Sequence, residues 1–311
     1  MEDVHSGRHL LVAIFLGLLL AAMAQNAILA LAESAPPVDP REGWAVLLDM
    51  NDYPEGYTDL PTGYNDSQMW TATLYSFGWQ SHHVQLVRGT LTRAAGEAAV
   101  RFLIDNADAN DVVLFFIFAH GTWIQNAMQW SDWFPSMWAS VASQSKLLVV
   151  SACGAEQFID AANGEVAPHV HIASAGVGEY AWAGLPEERL PIIGEVFNQF
   201  LNAAFFNVSA DANGNGEVTV EEAFAFASPA SRTYIGLEVF PRFPDYAQMC
   251  NHLAPTPVLD DAYPGELSLR VEPGDPPANL LLPLLLGLLV LVVSVAVIVP
   301  VSVVMRRSKL R

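Results

Sequence analysis

Apolar residues in the middle of the chain fall into short unbroken runs separated by stretches with helical spacing. Residues 44–49 (WAVLLD) predict a first buried strand, 83–87 a second, and 112–119 (VVLFFIFA) a third. The third is so uniformly apolar that both of its faces must be covered. Residues 147–152 (LLVVSA) predict a fourth strand and 169–174 a fifth. Helical spacing places Met69, Thr73, Leu74 and Phe77 on one side of a helix over 65–77. A second helix over 91–105 carries Ala95, Ala99, Phe102 and Leu103 on its apolar face, with Thr90 as its N-cap. A third runs over 191–205 and opens on a proline. Two-faced apolar strands alternating with helices imply an α/β fold, a three-layer α/β/α sandwich around a mostly parallel sheet. Functional residues of such sheets gather just past the carboxyl ends of the strands.

Two longer apolar runs lie outside this pattern. Residues 280–305 hold no charge and exceed the about 20 apolar residues that cross a bilayer as a helix. Arg306, Arg307, Lys309 and Arg311 follow directly, which makes 306–311 a cytoplasmic tail and leaves the middle domain extracytoplasmic. Residues 10–31 follow Arg8 and His9 and contain Ala22-Met23-Ala24 and Ala30-Leu31-Ala32. They read as a secretory signal peptide cut between Ala24 and Glu33, with an uncleaved anchor as the alternative. The chain thus divides into a signal peptide or anchor (1–32), a linker (33–42), one domain (43–262), a Pro-rich linker (263–279), a membrane helix (280–305) and the tail. The expected localisation is a single-pass membrane protein with terminal hydrophobic helices at both ends. The middle segment, roughly 235 residues, is an ordinary size for one domain.

The formal net charge is -19, and the basic tail makes the middle domain more acidic still. An acidic surface repels phosphate backbones, so nucleic acid is excluded as a partner. There are 2 cysteines, Cys153 and Cys250, which formally allow one disulfide but no multi-cysteine framework or CxxC metal pattern.

The third strand runs straight into His120-Gly121 and the fourth into Cys153-Gly154. Neighbouring parallel strands bring both side chains to one edge, where an imidazole can take the proton of a thiol. Glycine after each lets the backbone turn tightly and leaves an N–H able to face a developing oxyanion. A lone Cys in a strand is ordinarily a small buried hydrophobe. The joint placement favours a reactive pair.

VVLFFIFAHG and LLVVSACG together resemble the signature of the caspase-like cysteine peptidases, the group of caspases, metacaspases, gingipains and legumains. The first strand and Tyr64-Asn65-Asp66 resemble the opening of that domain, and HVHIASAGVGEYAW (169–182) is similar to the fifth-strand region of legumains, which lines the pocket for the residue before the scissile bond. The resemblance implies a cysteine endopeptidase acting on peptide or protein through an acyl-thioester. Cys153 is then the nucleophile, His120 the proton shuttle, and the amides of Gly121 and Cys153 the oxyanion hole, with Gly154 completing the turn. Ser174 shapes the specificity pocket, with Glu179 beside it. Legumains and caspases carry a basic residue after the first strand. Here that loop reads MNDYPEGYTDLPTGYND, with Asp52, Glu55, Asp59 and Asp66 and no Lys or Arg. An acidic pocket involving Asp52 favours cleavage after Arg or Lys, as in gingipains and metacaspases; a solvated acidic loop is the alternative. The order of signal peptide, legumain-like domain and membrane helix is also similar to that of glycosylphosphatidylinositol transamidases, in which an amine resolves the thioester. A non-catalytic binding ectodomain is the third reading, and the intact pair argues against it. Oligomeric state is not legible.

Residues 211–222 (DANGNGEVTVEE) fit the twelve-position EF-hand loop. Asp211, Asn213 and Asn215 take positions 1, 3 and 5, Glu217 offers its carbonyl, Thr219 sits at position 9 and Glu222 at position 12. The expected cofactor is a structural Ca2+ and no organic group; the alternative is an Asn/Gly-rich turn. Trp123, Trp130, Trp133 and Trp138 read as packing under a long loop, and His82, His83, His169, His171 and His252 as structural. Asn207-Val208-Ser209 is a glycosylation sequon, and Cys250 has no assigned role.

Overall fold

Residues 41–163 and 168–271 are described by the computed structural model; both long apolar runs, the basic tail and residues 272–279 of the Pro-rich linker lie outside them. No helix of the described residues is long and apolar enough to cross a membrane.

The strand with no polar side chain, Val112–Phe118 (β3), is buried along its whole length. It lies between Gly43–Asp49 (β1) and Ser145–Ser151 (β4), pairing in parallel with both. Outside them lie Val84–Arg88 (β2) against β1 and His169–Ala173 (β5) against β4, also parallel. The short pair Ala183–Gly184 (β6) and Gly194–Glu195 (β7) forms a separate ribbon. Val258–Asp261 (β8) closes the main sheet antiparallel to β5, giving the order β2-β1-β3-β4-β5-β8.

Alternate residues of each strand enter two separate cores. One face carries Val46, Phe115 and Leu148 under Arg93–Asn106 (α2), Gly121–Asn126 (α3), Trp130–Ala139 (α4) and Glu156–Asn163 (α5). The other carries Leu47, Phe116 and Val149 under Asn65–Ser76 (α1), Val196–Ala204 (α6) and Val220–Tyr234 (α7). A last helix, Pro244–Met249 (α8), packs Tyr246 into a smaller cluster with Val239 and Leu190. This is the α/β/α sandwich the pattern predicts.

The tryptophans expected under a long loop instead build α3 and α4. Trp130 stacks on Phe134 at 3.7 Å between ring centres. Their indole N–H groups find buried acceptors, Leu91 O for Trp123, Phe158 O for Trp130 and Met128 O for Trp133. Such a partner offsets the cost of taking the polar end of the ring out of water.

Three expectations change. Thr92, not Thr90, caps α2, its hydroxyl accepting from Ala95 N at 3.2 Å, because Leu91 is drawn into the core and the chain stays extended one step further. The helix expected from residue 191 starts at Val196, because Gly194 and Glu195 first pair with β6 and the Glu195 carboxylate then caps Phe197 N and Asn198 N. Part of the expected 263–279 linker belongs to the domain: Leu267 and Leu269 are buried, Trp79 Nε1 donates to Leu269 O at 2.7 Å, and Val271 N donates to Phe77 O.

Gly96 on α2 faces the Trp133 ring, and an added Cβ would lie 2.7 Å from it. Helix propensity favours alanine by about 1 kcal/mol, but overpacking a fixed indole costs about 1–3 kcal/mol. Gly96→Ala is expected to lower the urea midpoint with an unchanged slope; a raised midpoint would contradict this packing.

Candidate active site

The register of β3 and β4 pairs Phe118 with Ser151, and the ladder ends where Ala119 N donates to Ser151 O. Each strand continues two residues past that pair, to His120 and to Cys153, so both emerge at the same edge of the sheet. The approach of the two chain segments is closest at Gly121, where a Cβ would overlap the Cys153 carbonyl oxygen. No other residue fits there. Gly121 is also the first residue of α3, so its N–H has no acceptor within the helix. Gly154 turns the chain at φ 60, and its N–H donates to Glu179 O at 2.8 Å. It shapes the corner and is not a free oxyanion donor, contrary to the expectation that both glycine amides stay available.

The Cys153 thiol is largely buried and donates to Ala181 O at 3.9 Å. Burial pushes its pKa up, and the nearby Glu195 charge adds to the effect. It therefore needs a base to become a thiolate. Cys250 is likewise a free thiol, so the allowed disulfide does not form.

His120 is gripped by the loop that follows β1. Its Nε2 lies 2.8 Å from Thr58 O. A carbonyl only accepts, so Nε2 carries the hydrogen and Nδ1 is the acceptor of the neutral ring. Its backbone N–H donates to Tyr53 Oη at 2.8 Å. The rings of Tyr53 and Tyr57 pack against it, Tyr53 at 4.6 Å from the imidazole centre, and both tyrosines meet Trp123 edge-on. The loop is held in turn by Asp59, which accepts from Tyr53 N at 2.7 Å, and by the Asn51 side chain, which accepts from Tyr64 N and Thr62 Oγ1.

The residues expected to contact substrate are placed differently from one another. Ser174 is buried, and its hydroxyl accepts from Ala152 N at 3.1 Å, bracing the residue before Cys153. The Glu179 carboxylate accepts from Gly176 N and from Thr256 N and Oγ1, so it fastens its own loop to the approach of β8. Asp52 is exposed and receives Tyr64 Oη at 3.4 Å. Sequence reasoning found no basic residue in the loop after β1. The sheet order supplies one from the neighbouring strand: Arg88 ends β2 opposite Asp49, lies over the Tyr64 ring at 4.9 Å and donates to Ser67 Oγ.

The expected EF-hand residues share one tight loop. The Asp211 carboxylate accepts from Gly214, Asn215 and Gly216 N, Asn213 Oδ1 from Asn215 N, and Asn215 Oδ1 from Glu217 N. Gly214 and Gly216 both have positive φ. Thr219 caps α7, and Glu222 reaches back to Ala212 N and Asn213 N. The Glu217 side chain turns outward to Ser268 and Arg270.

A histidine grouping missed in the sequence lies near the opposite, amino-terminal end of β5. His169, His171 and Asp260 bring ligand atoms within 4.8 Å of one another. The two imidazoles are stacked at 4.0 Å and 21°, so their in-plane lone pairs do not converge on one ion as placed. Trp138 Nε1 donates to His171 Nε2, and burial holds His171 well below its ordinary pKa. The group reads as a buried hydrogen-bonded brace.

Beneath the edge lie three buried carboxyls, Asp49, Asp66 and Glu195. Asp66 accepts from Glu195 N, Asn198 Nδ2 and Gln199 Nε2, joining α1 to α6. The sequence signal for Glu195 was its place after Gly194 and before an apolar helical run. Burial, then the charge of Asp49, raises Asp66 from 3.8 to about 7; burial raises Glu195 from 4.5 to about 8. Both groups hold protons more tightly folded than unfolded, so stability is lost as pH rises across that window. The melting temperature is expected to be lower at about pH 8 than at about pH 5; a rising profile would contradict it.

The fold is similar to the crystal structure of caspase-1 from Spodoptera frugiperda, with a TM-score of 0.50 and 14% identity, over 76% of this chain and 96% of that chain. No protein-family model and no curated protein matches the sequence. The chain has a caspase-like α/β fold.

Proposed function

We propose that the chain is a cysteine endopeptidase of the legumain type, held at a membrane with its active site on the extracytoplasmic side. The observation that supports this reading is the emergence of His120 and Cys153 at one sheet edge, with the imidazole held by Thr58 O as the Nε2–H tautomer. Nδ1 of His120 takes the Cys153 thiol proton, and the thiolate adds to the substrate carbonyl carbon. The oxyanion is met by the N–H groups of Gly121 and Cys153. The intermediate expels the amine, which leaves with the proton from His120, and an acyl-thioester remains on Cys153. Water, deprotonated by the same Nδ1, then releases the acid. An amine in place of water makes the chain a transamidase, a reading favoured by the order of apolar segments around the domain.

The full chain, in detergent, is expected to cleave a mixed fluorogenic peptide library. Cys153→Ala abolishes cleavage and His120→Ala lowers it by about 10²–10⁴-fold. A Cys153→Ala variant as active as wild type would end the peptidase reading. Amide products formed on adding a primary amine would select the transamidase.

The same reading places a structural Ca2+ in the 211–222 loop, held by Asp211, Asn213, Asn215, the Glu217 carbonyl and Glu222, with Thr219 at position 9. The support is the twelve-position spacing together with positive φ at Gly214 and Gly216. A ligand bound only by the folded chain raises its melting temperature. Millimolar calcium is expected to raise that of wild type and to leave Glu222→Gln unmoved; an unmoved wild type would remove the ion.

A further inference from the structure

The loop between β1 and α1 is acidic and largely exposed, yet two of its tyrosines turn inward, and both do so against His120. His120 stands where the chain leaves β3 for α3. The sheet ladder has ended by then, and no helix bond has begun, so its backbone N–H has no acceptor in regular structure. Tyr53 Oη supplies that acceptor at 2.8 Å. The ring of the same residue lies 4.6 Å from the imidazole centre and edge-on to Trp123 at 84°. We propose that Tyr53 is the positioning residue of His120, holding its backbone by the hydroxyl and its ring by contact, so that the imidazole keeps its place at the sheet edge from which Cys153 also emerges.

The two grips on the histidine differ in kind. Thr58 O fixes the far nitrogen of the imidazole and sets the tautomer. It leaves the corner carrying the side chain free to shift, and a small displacement there swings Nδ1. Tyr53 fixes that corner. Both grips come from one loop, which Asp59 and Asn51 hold as a unit. Burial pushes the Tyr53 hydroxyl well above its ordinary pKa, so it remains a neutral partner and not a proton donor in turnover. Asp49 and Asp59, on β1 and on the loop, and Cys153 beyond β4 are the charged or titratable groups that bear on it.

The inference rests on the peptidase reading, and two measurements on the full chain separate their failures. Cys153 alkylation by iodoacetamide reads the thiolate alone, and peptide turnover reads the reaction. Tyr53→Phe keeps the ring and loses the acceptor; its kcat and its alkylation rate are expected to fall about 5–10-fold with KM unchanged. Tyr53→Leu loses both, and kcat is expected to fall on the order of 10²-fold, again with KM unchanged. Partial recovery from Leu to Phe is the signature of positioning, since a merely structural role moves the melting temperature and not this order. Wild-type rates in Tyr53→Leu, or a change confined to KM, would overturn the inference. Alkylation graded across wild type, Tyr53→Phe and Tyr53→Leu, with no cleavage by wild type, would remove the peptidase reading and leave the positioning role standing.

Discussion

The parallel pairing of β3 with β4 is the constraint from which the rest of the site follows. Phe118 opposite Ser151 sets the level at which two chain segments leave the sheet, and each leaves with a reactive side chain two residues later. A shift of one residue in that register would turn one of them to the opposite face. The register is tied to the core: Phe115 and Leu148 enter one layer, Phe116 and Val149 the other, and a slip would send each to the opposite layer. The placement of the proposed pair is a by-product of apolar packing on two faces of one sheet.

The strands were legible because two-faced burial leaves an unmistakable run of apolar residues, as at 112–118, and because His-Gly and Cys-Gly stood at the ends of two such runs. The helices α3 and α4 were not, because α3 has only 6 residues and α4 is a short aromatic run with Pro135 inside it. Helix boundaries slipped where a local hydrogen bond overrode propensity, at Thr92 and at Glu195.

At the candidate site, the His-Gly and Cys-Gly steps are visible in the sequence, but what holds them is not. Thr58 contributes a backbone carbonyl, which no residue type advertises, and Tyr53 sits in a loop whose composition reads as solvated. Ser174 and Glu179 were named by resemblance, and their polar atoms are committed to Ala152 and Thr256. The basic residue absent from one loop stands on the adjacent strand at Arg88, a placement visible only once the strand order is known. Acids far apart in sequence, Asp66 and Glu195, meet because α1 and α6 cover the same face.

The chain beyond β8 does not simply leave the domain. Leu267 and Leu269 plug into the lower core, Trp79 clasps the Leu269 carbonyl, and Arg270 lies over Phe77 at 4.8 Å. These contacts are with the α1 end of the molecule, on the other flank from the Glu179–Thr256 fastening beside Cys153. Any pull transmitted along the chain from past residue 271 therefore meets a buried cleat before it reaches β8. The corner carrying His120 and Cys153 is thus separated along the chain from residue 271 by contacts buried in the domain.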